Sequence, residues 1–225
     1  MLYRIAKREL IHAQIALFVA FALQILVWKI NHELLVGPQY IIIPTEIFLA
    51  IIIGFTVNRH SVRKRGIHHA LALILPALIS VANISSLVLV LHSLVITHAA
   101  VTGTELLSAA IAILITNIIV FALWYWEIDS PGLTRKRWSK NDQDFQFTQQ
   151  DLKKDYPNWR PEFLDYLYLS VTNAINFAAA DARPVTHAAK LLMGLQALVS
   201  VFTLALVLAQ RTDLTAEGWM YDAAA

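Results

Sequence analysis

Three polar side chains in the last third of the chain lie around a short loop: an amide and a carboxylate that could coordinate a cation, and a basic residue that could neutralise them. Asn176, Asp181 and Arg183 border a short apolar run, and they follow a stretch that predicts a short helix from about Pro161 to Asn173. The C-terminal end of a helix carries partial negative charge, so a cation is favoured beside it. Asp181 and Arg183 could equally pair with each other and only fix a turn.

The predicted helix is too short to cross a bilayer, for which about 20 apolar residues are needed. The apolar run that follows, from about Ala188 to Ala209, is long enough. Non-helical backbone between the two can exist at membrane depth only where it is buried in protein or lines water. The pattern therefore predicts a re-entrant helix and loop, followed by a last span.

The composition of the chain predicts an integral membrane protein. Of its 225 residues, 57% are hydrophobic and only 15% are charged, against about 25% charged in soluble proteins. We therefore predict an all-α membrane protein with about five transmembrane helices plus the re-entrant pore helix and loop. The predicted spans are Ile11–Ile30, Tyr40–Val57, Ala70–Ile96, Leu106–Trp126 and Ala188–Ala209.

Three regions divide the chain. Residues 1–105 form an N-terminal three-helix membrane region, residues 106–210 form a module that includes the hairpin, and residues 211–225 form a short tail. Within the module, the polar insert at 127–160 holds seven basic and six acidic residues, a balanced mixture typical of a solvated segment. It lacks the one-sided basic surface that nucleic-acid binding requires.

The distribution of charge predicts the orientation in the membrane. The N-terminus carries Arg4, Lys7 and Arg8, and the connection at 58–69 carries four basic residues and no acid. Two predicted spans separate these clusters, so both lie on one side, which the positive-inside rule makes cytoplasmic. We expect a multi-pass protein of the inner (plasma) membrane whose N-terminus and hairpin both face the cytoplasm.

The hairpin resembles the pore module of two-helix potassium channels. Residues 165–170 match the pore-helix pattern D-x-L-Y-x-S, and Asp181, Pro184 and Thr186 match the Asp, Pro and Thr of G-D-x-x-P-x-T. The resemblance implies a homo-oligomer, with a tetramer favoured, around one pore axis. It assigns pore-helix positions to Asp165, Tyr168, Ser170 and Asn173.

The filter positions depart from the potassium-channel pattern. Where channels hold T-V-G-Y-G, this chain holds Asn176-Phe177-Ala178-Ala179-Ala180. Potassium filters coordinate the ion with backbone carbonyls, in conformations that glycine reaches more readily than alanine. The resemblance therefore implies a degenerate filter loop. Rings of Asn176 and Asp181 side chains could instead favour monovalent cations, with Arg183 reducing their charge.

The whole chain resembles a family of bacterial integral membrane proteins of uncharacterised function, with four spans, a polar insert and the same hairpin patterns. In that family we expect a loop containing Ser, Pro and Thr before Asp181, where this chain has three alanines.

Potassium channels insert their hairpin from outside, so the predicted orientation implies an inverted module or a miscounted span. In the last span, Gly194 and Ser200 are candidate flexible points, and close helix packing is the alternative for Gly194.

Other polar residues lie within the predicted spans. Glu46, in the second span, could relay protons or bind a cation, because an intramembrane carboxylate is costly and usually functional. A neutral, hydrogen-bonded acid near the interface is the alternative. Asn83 and Asn117 predict interhelical hydrogen bonds rather than a transport path.

Several classes of function lack any supporting motif. The chain has no cysteine, phosphate-binding glycine loop, zinc-helix motif or nucleophile elbow. We therefore predict no enzyme activity, no cofactor and no metal site. The leading hypothesis is an oligomeric, ion-channel-like protein whose expected partners are membrane lipid and monovalent cations. The alternatives are a non-conducting membrane scaffold that acts through partners, and a proton- or solute-coupled transporter.

Overall fold

A computed structural model describes residues 2–30, 65–92, 103–129, 143–152, 154–157 and 159–222. Within these ranges the chain forms six helices and two short strands. In chain order they are α1 (Leu2–Ile30), α2 (Arg65–His92), α3 (Gly103–Asp129), β1 (Phe145–Phe147), α4 (Thr148–Asp151), α5 (Phe163–Asn176), β2 (Ala182–Pro184) and α6 (His187–Asp222).

The structure is mostly helical and has the apolar helices of a membrane-embedded protein, as predicted. Helix α1 contributes a shorter apolar stretch, Ile11–Leu26. The predicted second span, Tyr40–Val57, lies outside the described residues, and so does Glu46 within it. Three described helices are long and apolar enough to cross a membrane, over Leu73–His92, Thr104–Asp129 and His187–Leu208.

Helix α3 is the centre of the bundle and packs against α1, α2, α5 and α6. About two thirds of its apolar stretch (67%) is buried, against 39% in α2 and 33% in α6. Its sequence explains this position, because apolar side chains surround the helix on all sides between Leu106 and Trp126. A helix that is apolar all round is stable only when other elements, or lipid, cover every face.

Two clusters of buried apolar side chains divide the bundle along its length. The first joins α5, β1 and β2 to the C-terminal part of α3, to the middle of α1 and to the N-terminal parts of α2 and α6. The second joins the opposite ends of α2, α3 and α6, with Leu23 of α1 packed against it. Helices α1, α2 and α6 are therefore parallel to one another and antiparallel to α3. Members of the first cluster include Ala13, Leu75, Phe121, Phe145, Phe163, Ala182 and Ala189, and members of the second include Leu87, Leu106, Val199 and Leu206.

A two-stranded antiparallel ladder, which the sequence did not predict, joins the polar insert to the hairpin. The side chains of Phe145 and Phe147 are buried and that of Gln146 is exposed, the alternation of a half-covered strand. This part of the insert is therefore packed against the bundle rather than solvated. The paired residues are Phe145 with Pro184, Gln146 with Arg183, and Phe147 with Ala182.

Asp129, the last residue of α3, connects the bundle to the insert and to α5. Its Oδ1 accepts hydrogen bonds from the backbone N–H groups of Asp144 (2.6 Å) and Phe145 (3.0 Å). Its Oδ2 accepts a hydrogen bond from the hydroxyl of Tyr166 (2.6 Å). Thr186, just before α6, donates its hydroxyl to the Asp144 carboxylate. One buried carboxylate therefore aligns the start of β1 with α5, and Asp144 extends this alignment to α6.

We expect Asp129→Ala to lower the free energy of unfolding by about 1–3 kcal/mol, because it leaves buried donors without an acceptor. Tyr166→Phe should cost about 1 kcal/mol, since it removes the hydroxyl that donates a hydrogen bond to Asp129. Thermal or SDS-induced unfolding of the purified protein in detergent measures both effects. Asp155→Ala, at an exposed position, is the control. An Asp129→Ala protein as stable as the wild type would contradict the role given to this carboxylate.

Candidate functional site

Helix α5 begins at Phe163, two residues after the predicted start, and Glu162 is its N-cap residue. The Asp165 carboxylate accepts a hydrogen bond from the backbone N–H of Glu162 (2.7 Å). This bond is one half of a capping box, and an acid in the first turn also complements the helix dipole. Asp165, the first residue of the pore-helix pattern, therefore stabilises the start of α5.

Buried polar side chains from three helices meet between α3, α5 and α6. The central residue is Gln196 of α6, whose side chain is fully buried. Its Nε2 donates to the carbonyl (3.0 Å) and the hydroxyl (2.7 Å) of Ser170. Its Oε1 accepts from the Tyr125 hydroxyl (2.5 Å) and from Asn173 Nδ2 (2.9 Å). The Gln196 amide thus uses both donors and both acceptor positions. We call this group the polar network; it comprises Asn117, Tyr125, Ser170, Asn173, Gln196 and Ser200.

The polar network also bonds to helix backbone. Asn173 Nδ2 donates to the carbonyl of Met193 in α6 (3.0 Å), and the Ser170 hydroxyl donates to the carbonyl of Ile118 in α3 (2.6 Å). Such directional bonds specify one register between helices, whereas apolar side chains alone permit sliding. Two residues assigned to the pore helix from the sequence, Ser170 and Asn173, therefore fix α5 between α3 and α6.

The other residue assigned to the pore helix, Tyr168, has a different environment. Its side chain is 49% exposed, on the outer face of α5 that also presents Leu164 and Ile175. Helix α5 is therefore polar where it meets α3 and α6 and apolar on the face that no described part of the chain covers.

The two candidate flexible points of α6 have contrasting surroundings. Ser200 is buried and its hydroxyl accepts a hydrogen bond from Asn117 Nδ2 (3.0 Å), which confirms the interhelical bond predicted for Asn117. Gly194 is exposed, and a Cβ placed on it would meet no atom within 4 Å. Helix α6 is continuous through both positions. Within one chain, Ser200 is thus held against α3, and Gly194 is not a point of close packing.

A short loop, residues 177–181, connects α5 to β2. Phe177 has a left-handed backbone conformation (φ 54°, ψ 24°), which is common for glycine at a helix C-terminus and unfavourable for a bulky residue. The side chains of Asn176, Ala178 and Ala180 are exposed. Ala179 is partly buried and packs against the first apolar cluster. The loop thus has one face on the bundle and one face open.

The backbone of Ala178–Ala180 makes no hydrogen bond within the described part of the chain. The next carbonyl, that of Asp181, accepts bonds from the N–H (2.9 Å) and the hydroxyl (3.0 Å) of Thr148. Backbone polar groups that are removed from water are almost always paired. In contact with lipid, each unpaired group costs several kcal/mol. These three peptide units therefore require water or another protein surface.

The charged residues that follow the loop do not fix the turn by pairing. No ion pair joins the side chains of Asp181 and Arg183, both of which belong to the described residues. The turn is held instead by Thr148 and by the β1–β2 ladder, in which Arg183 is exposed opposite Gln146. Asp181, which is partly exposed, and Arg183, which is exposed, therefore both lie beside the loop without an ion pair between them.

Three residues that organise the site were not identified from the sequence: Tyr125, Asp129 and Gln196. A signal for Gln196 exists, because an amide in the middle of a 22-residue apolar stretch needs a hydrogen-bonding partner. No sequence pattern indicates that the partner lies on α5. Tyr125 lies between Trp124 and Trp126 at the end of an apolar run, a pattern typical of an interfacial aromatic belt, but its ring is buried and its hydroxyl belongs to the polar network.

Three carboxyl groups lie where α1 meets the start of α5: Glu9, Glu162 and Asp165. Burial, followed by the nearby charges of Glu162 and Asp165, raises the pKa of Glu9 from its ordinary value of 4.5 to about 7. Among the described residues, no group of three or more His, Cys, Asp or Glu side chains could hold a metal ion.

We compared the chain with protein-family models, with curated proteins and with solved structures, and no match was found. The geometry described above is therefore the basis for a functional assignment.

We expect Gln196→Leu to lower the free energy of unfolding by about 1–3 kcal/mol, because the side chains of Ser170, Asn173 and Tyr125 lose their common partner in a buried site. SDS-induced unfolding of the purified protein measures the change. Leu195→Ala, which alters an exposed neighbour on the same helix, is the matched control and should have a smaller effect. Equal effects of the two substitutions would contradict the central position of Gln196.

We also expect a pH dependence that originates at Glu9. Between about pH 4.5 and pH 7, the folded protein binds more protons at this site than the unfolded chain, so stability falls as the pH rises. Glu9→Gln removes this titration. The melting temperature of Glu9→Gln minus that of the wild type should therefore increase as the pH is raised through this window. Asp155→Asn serves as the control, and parallel pH profiles of wild type and Glu9→Gln would refute the prediction.

Proposed function

We propose that this protein is an oligomeric, ion-channel-like membrane protein in which copies of α5, the loop 177–181 and α6 surround a water-lined path. The observation that carries the proposal is the loop at Ala178–Ala180. Its backbone polar groups have no hydrogen-bonding partner among the described residues, while the helix that precedes it is held by buried hydrogen bonds. Inside a membrane, backbone groups without protein partners must face water or ions, and a fixed helix before them holds them at a defined position.

In this proposal α5 and the loop form a re-entrant hairpin. Helix α5 has 14 residues, a length of about 21 Å, which is less than the hydrocarbon thickness of about 30 Å. Every buried apolar residue of α5, β1 and β2 that is a member of an apolar cluster is a member of the first cluster. The hydrogen bonds of Asp129 and Asp144 bring the starts of α5 and α6 to the same end of α3. A chain that enters and returns at one side accounts for these observations.

A hairpin tip at membrane depth has to face water or protein, since lipid satisfies none of its backbone groups. The C-terminal end of α5, with its partial negative charge, lies next to the loop and favours a cation there. A single copy cannot enclose a path, so conduction requires several subunits. Four copies are favoured by the resemblance to potassium-channel pore modules.

We propose weak selectivity among monovalent cations. A filter of successive backbone carbonyls needs conformations that glycine adopts easily, and Ala178 and Ala180 stand at those positions. Among the described non-glycine residues, only Phe177 has a positive φ. Any preference for cations over anions therefore comes from Asn176 and Asp181, and Arg183 opposes it.

We propose that the hairpin enters from the cytoplasmic side of the inner membrane. Glu9 of α1 lies beside the first turn of α5, so the N-terminal end of α1 and the base of the hairpin share one side. Helices α1 and α2 run parallel, which is the arrangement that the predicted span Tyr40–Val57 requires. The basic N-terminus and the basic connection at 58–69 then lie on that same side.

A non-conducting scaffold is the second candidate. The outer face of α5 is apolar and uncovered, at Leu164, Tyr168 and Ile175, and it would fit the helix of a partner. In that case the partner would cover the loop backbone. A transporter that uses Glu46 remains a third hypothesis.

Ion flux through the purified protein in liposomes tests the proposal. We expect potassium and sodium to pass at similar rates, and Asp181→Asn to lower the preference for cations over chloride. Arg183→Gln should raise that preference, because it removes the opposing charge, and it serves as the matched variant. Strong potassium selectivity would contradict the account of the loop, and a folded protein without flux would favour the scaffold.

A cysteine placed in this cysteine-free chain reports on the loop independently of conduction. Ala178→Cys should react with a membrane-impermeant thiol reagent, because the loop faces water. Val88→Cys, on an exposed face of α2, should lie in lipid and be protected. Protection of both positions would argue against a water-lined path.

A further inference from the structure

Phe177 contributes little to the packing of the part of the chain that the structure describes. Its side chain is 49% exposed, and it belongs to neither apolar cluster. Six ring pairs link aromatic residues of α3, α5 and the insert, and none of these pairs includes Phe177. The position also has a conformational cost, since glycine or asparagine adopts a φ of 54° more readily than phenylalanine. Neither packing nor backbone geometry explains a phenylalanine here.

The neighbours of Phe177 give its ring a distinct setting. Ala178 and Ala180 are small, and Asn176 is polar, so Phe177 is the one large apolar side chain between residues 176 and 181. The groups around it include the backbone of Ala178–Ala180, which has no hydrogen-bonding partner among the described residues and, inside a membrane, requires water or protein. A narrow apolar constriction within a water-lined path expels water and blocks ions without filling the opening.

We propose that Phe177 is a hydrophobic gate, with the rings from neighbouring copies forming the dry segment of the path. This inference rests on the proposed function and adds the element that closes the path. The anchor and the gate are separate parts of the hairpin. Ser170 and Asn173 hold α5 through the polar network, while the strained backbone at Phe177 loses its strain when it rotates to another conformation. Rotation at this residue opens the path without moving α5.

Substitution of Phe177 tests the gate in the flux assay. Phe177→Asn keeps a residue that accepts the left-handed conformation and removes the apolar ring, so cation flux should rise by about tenfold or more. Phe177→Leu keeps an apolar constriction and should conduct like the wild type. Ile175→Asn makes a similar change at a residue with similar exposure (53%), but on the outer face of α5, and should not increase the flux. The melting temperature of Phe177→Asn should equal or exceed that of the wild type, because the ring is not needed for folding.

The possible outcomes separate the gate from the proposed function. Wild-type flux that Phe177→Asn does not increase would overturn the gate and leave the channel-like function in place. An equal increase in Phe177→Asn and Ile175→Asn would also overturn it, since the effect would not be specific to the ring. No flux in any folded variant would overturn both proposals. Increased flux in Phe177→Asn alone, with retained stability, is the result that supports the gate.

Discussion

A polar group inside a membrane has to find a partner, and the side chain of Gln196 shows how this chain meets that constraint. The side-chain amide of Gln196 makes its hydrogen bonds to other helices of the described chain and not to its own helix α6. The four hydrogen bonds come instead from Ser170 and Asn173 of α5 and from Tyr125 of α3. Helix α5 is too short to be held by spanning the bilayer, so this network determines where it lies. The position of the loop beyond it follows from the same bonds.

The same constraint explains the contrast between α5 and the loop that follows it. Every polar atom of the Gln196 amide is paired, whereas three successive peptide units at Ala178–Ala180 are unpaired in the described part of the chain. The hairpin therefore combines a helix whose buried polar side chains are hydrogen-bonded with an open loop whose backbone groups have no partner among the described residues. This division suits a module that presents backbone to water at a defined depth. It also places Phe177 at the boundary, where the helix ends and the open backbone begins.

A second anchor lies at the end of α3. Asp129 binds the start of β1 and the Tyr166 hydroxyl, and the ladder carries this alignment to β2 and α6. The described part of the polar insert that contains β1 is thus packed into the module. The loop is held from both sides, by the polar network through α5 and by Thr148 and the ladder through β2. The backbone of Ala178–Ala180 lies between these two attachments and has no hydrogen bond among the described residues.

Hydrophobicity and charge alone predicted the membrane class, the long apolar helices and a short helix near residues 161–173, because these depend on local composition and on helix length. They also predicted that Asn117 bonds across helices, since an amide in an apolar span has few alternatives. The β1–β2 ladder, the anchor at Asp129 and the partners of Gln196 were decided by tertiary structure. Each depends on which surfaces of distant segments meet, and a hydrogen bond between residues 129 and 166 has no local signature in the sequence. The left-handed conformation of Phe177 was likewise not predictable, because local preference places glycine there and only the anchored segments on either side impose it on phenylalanine.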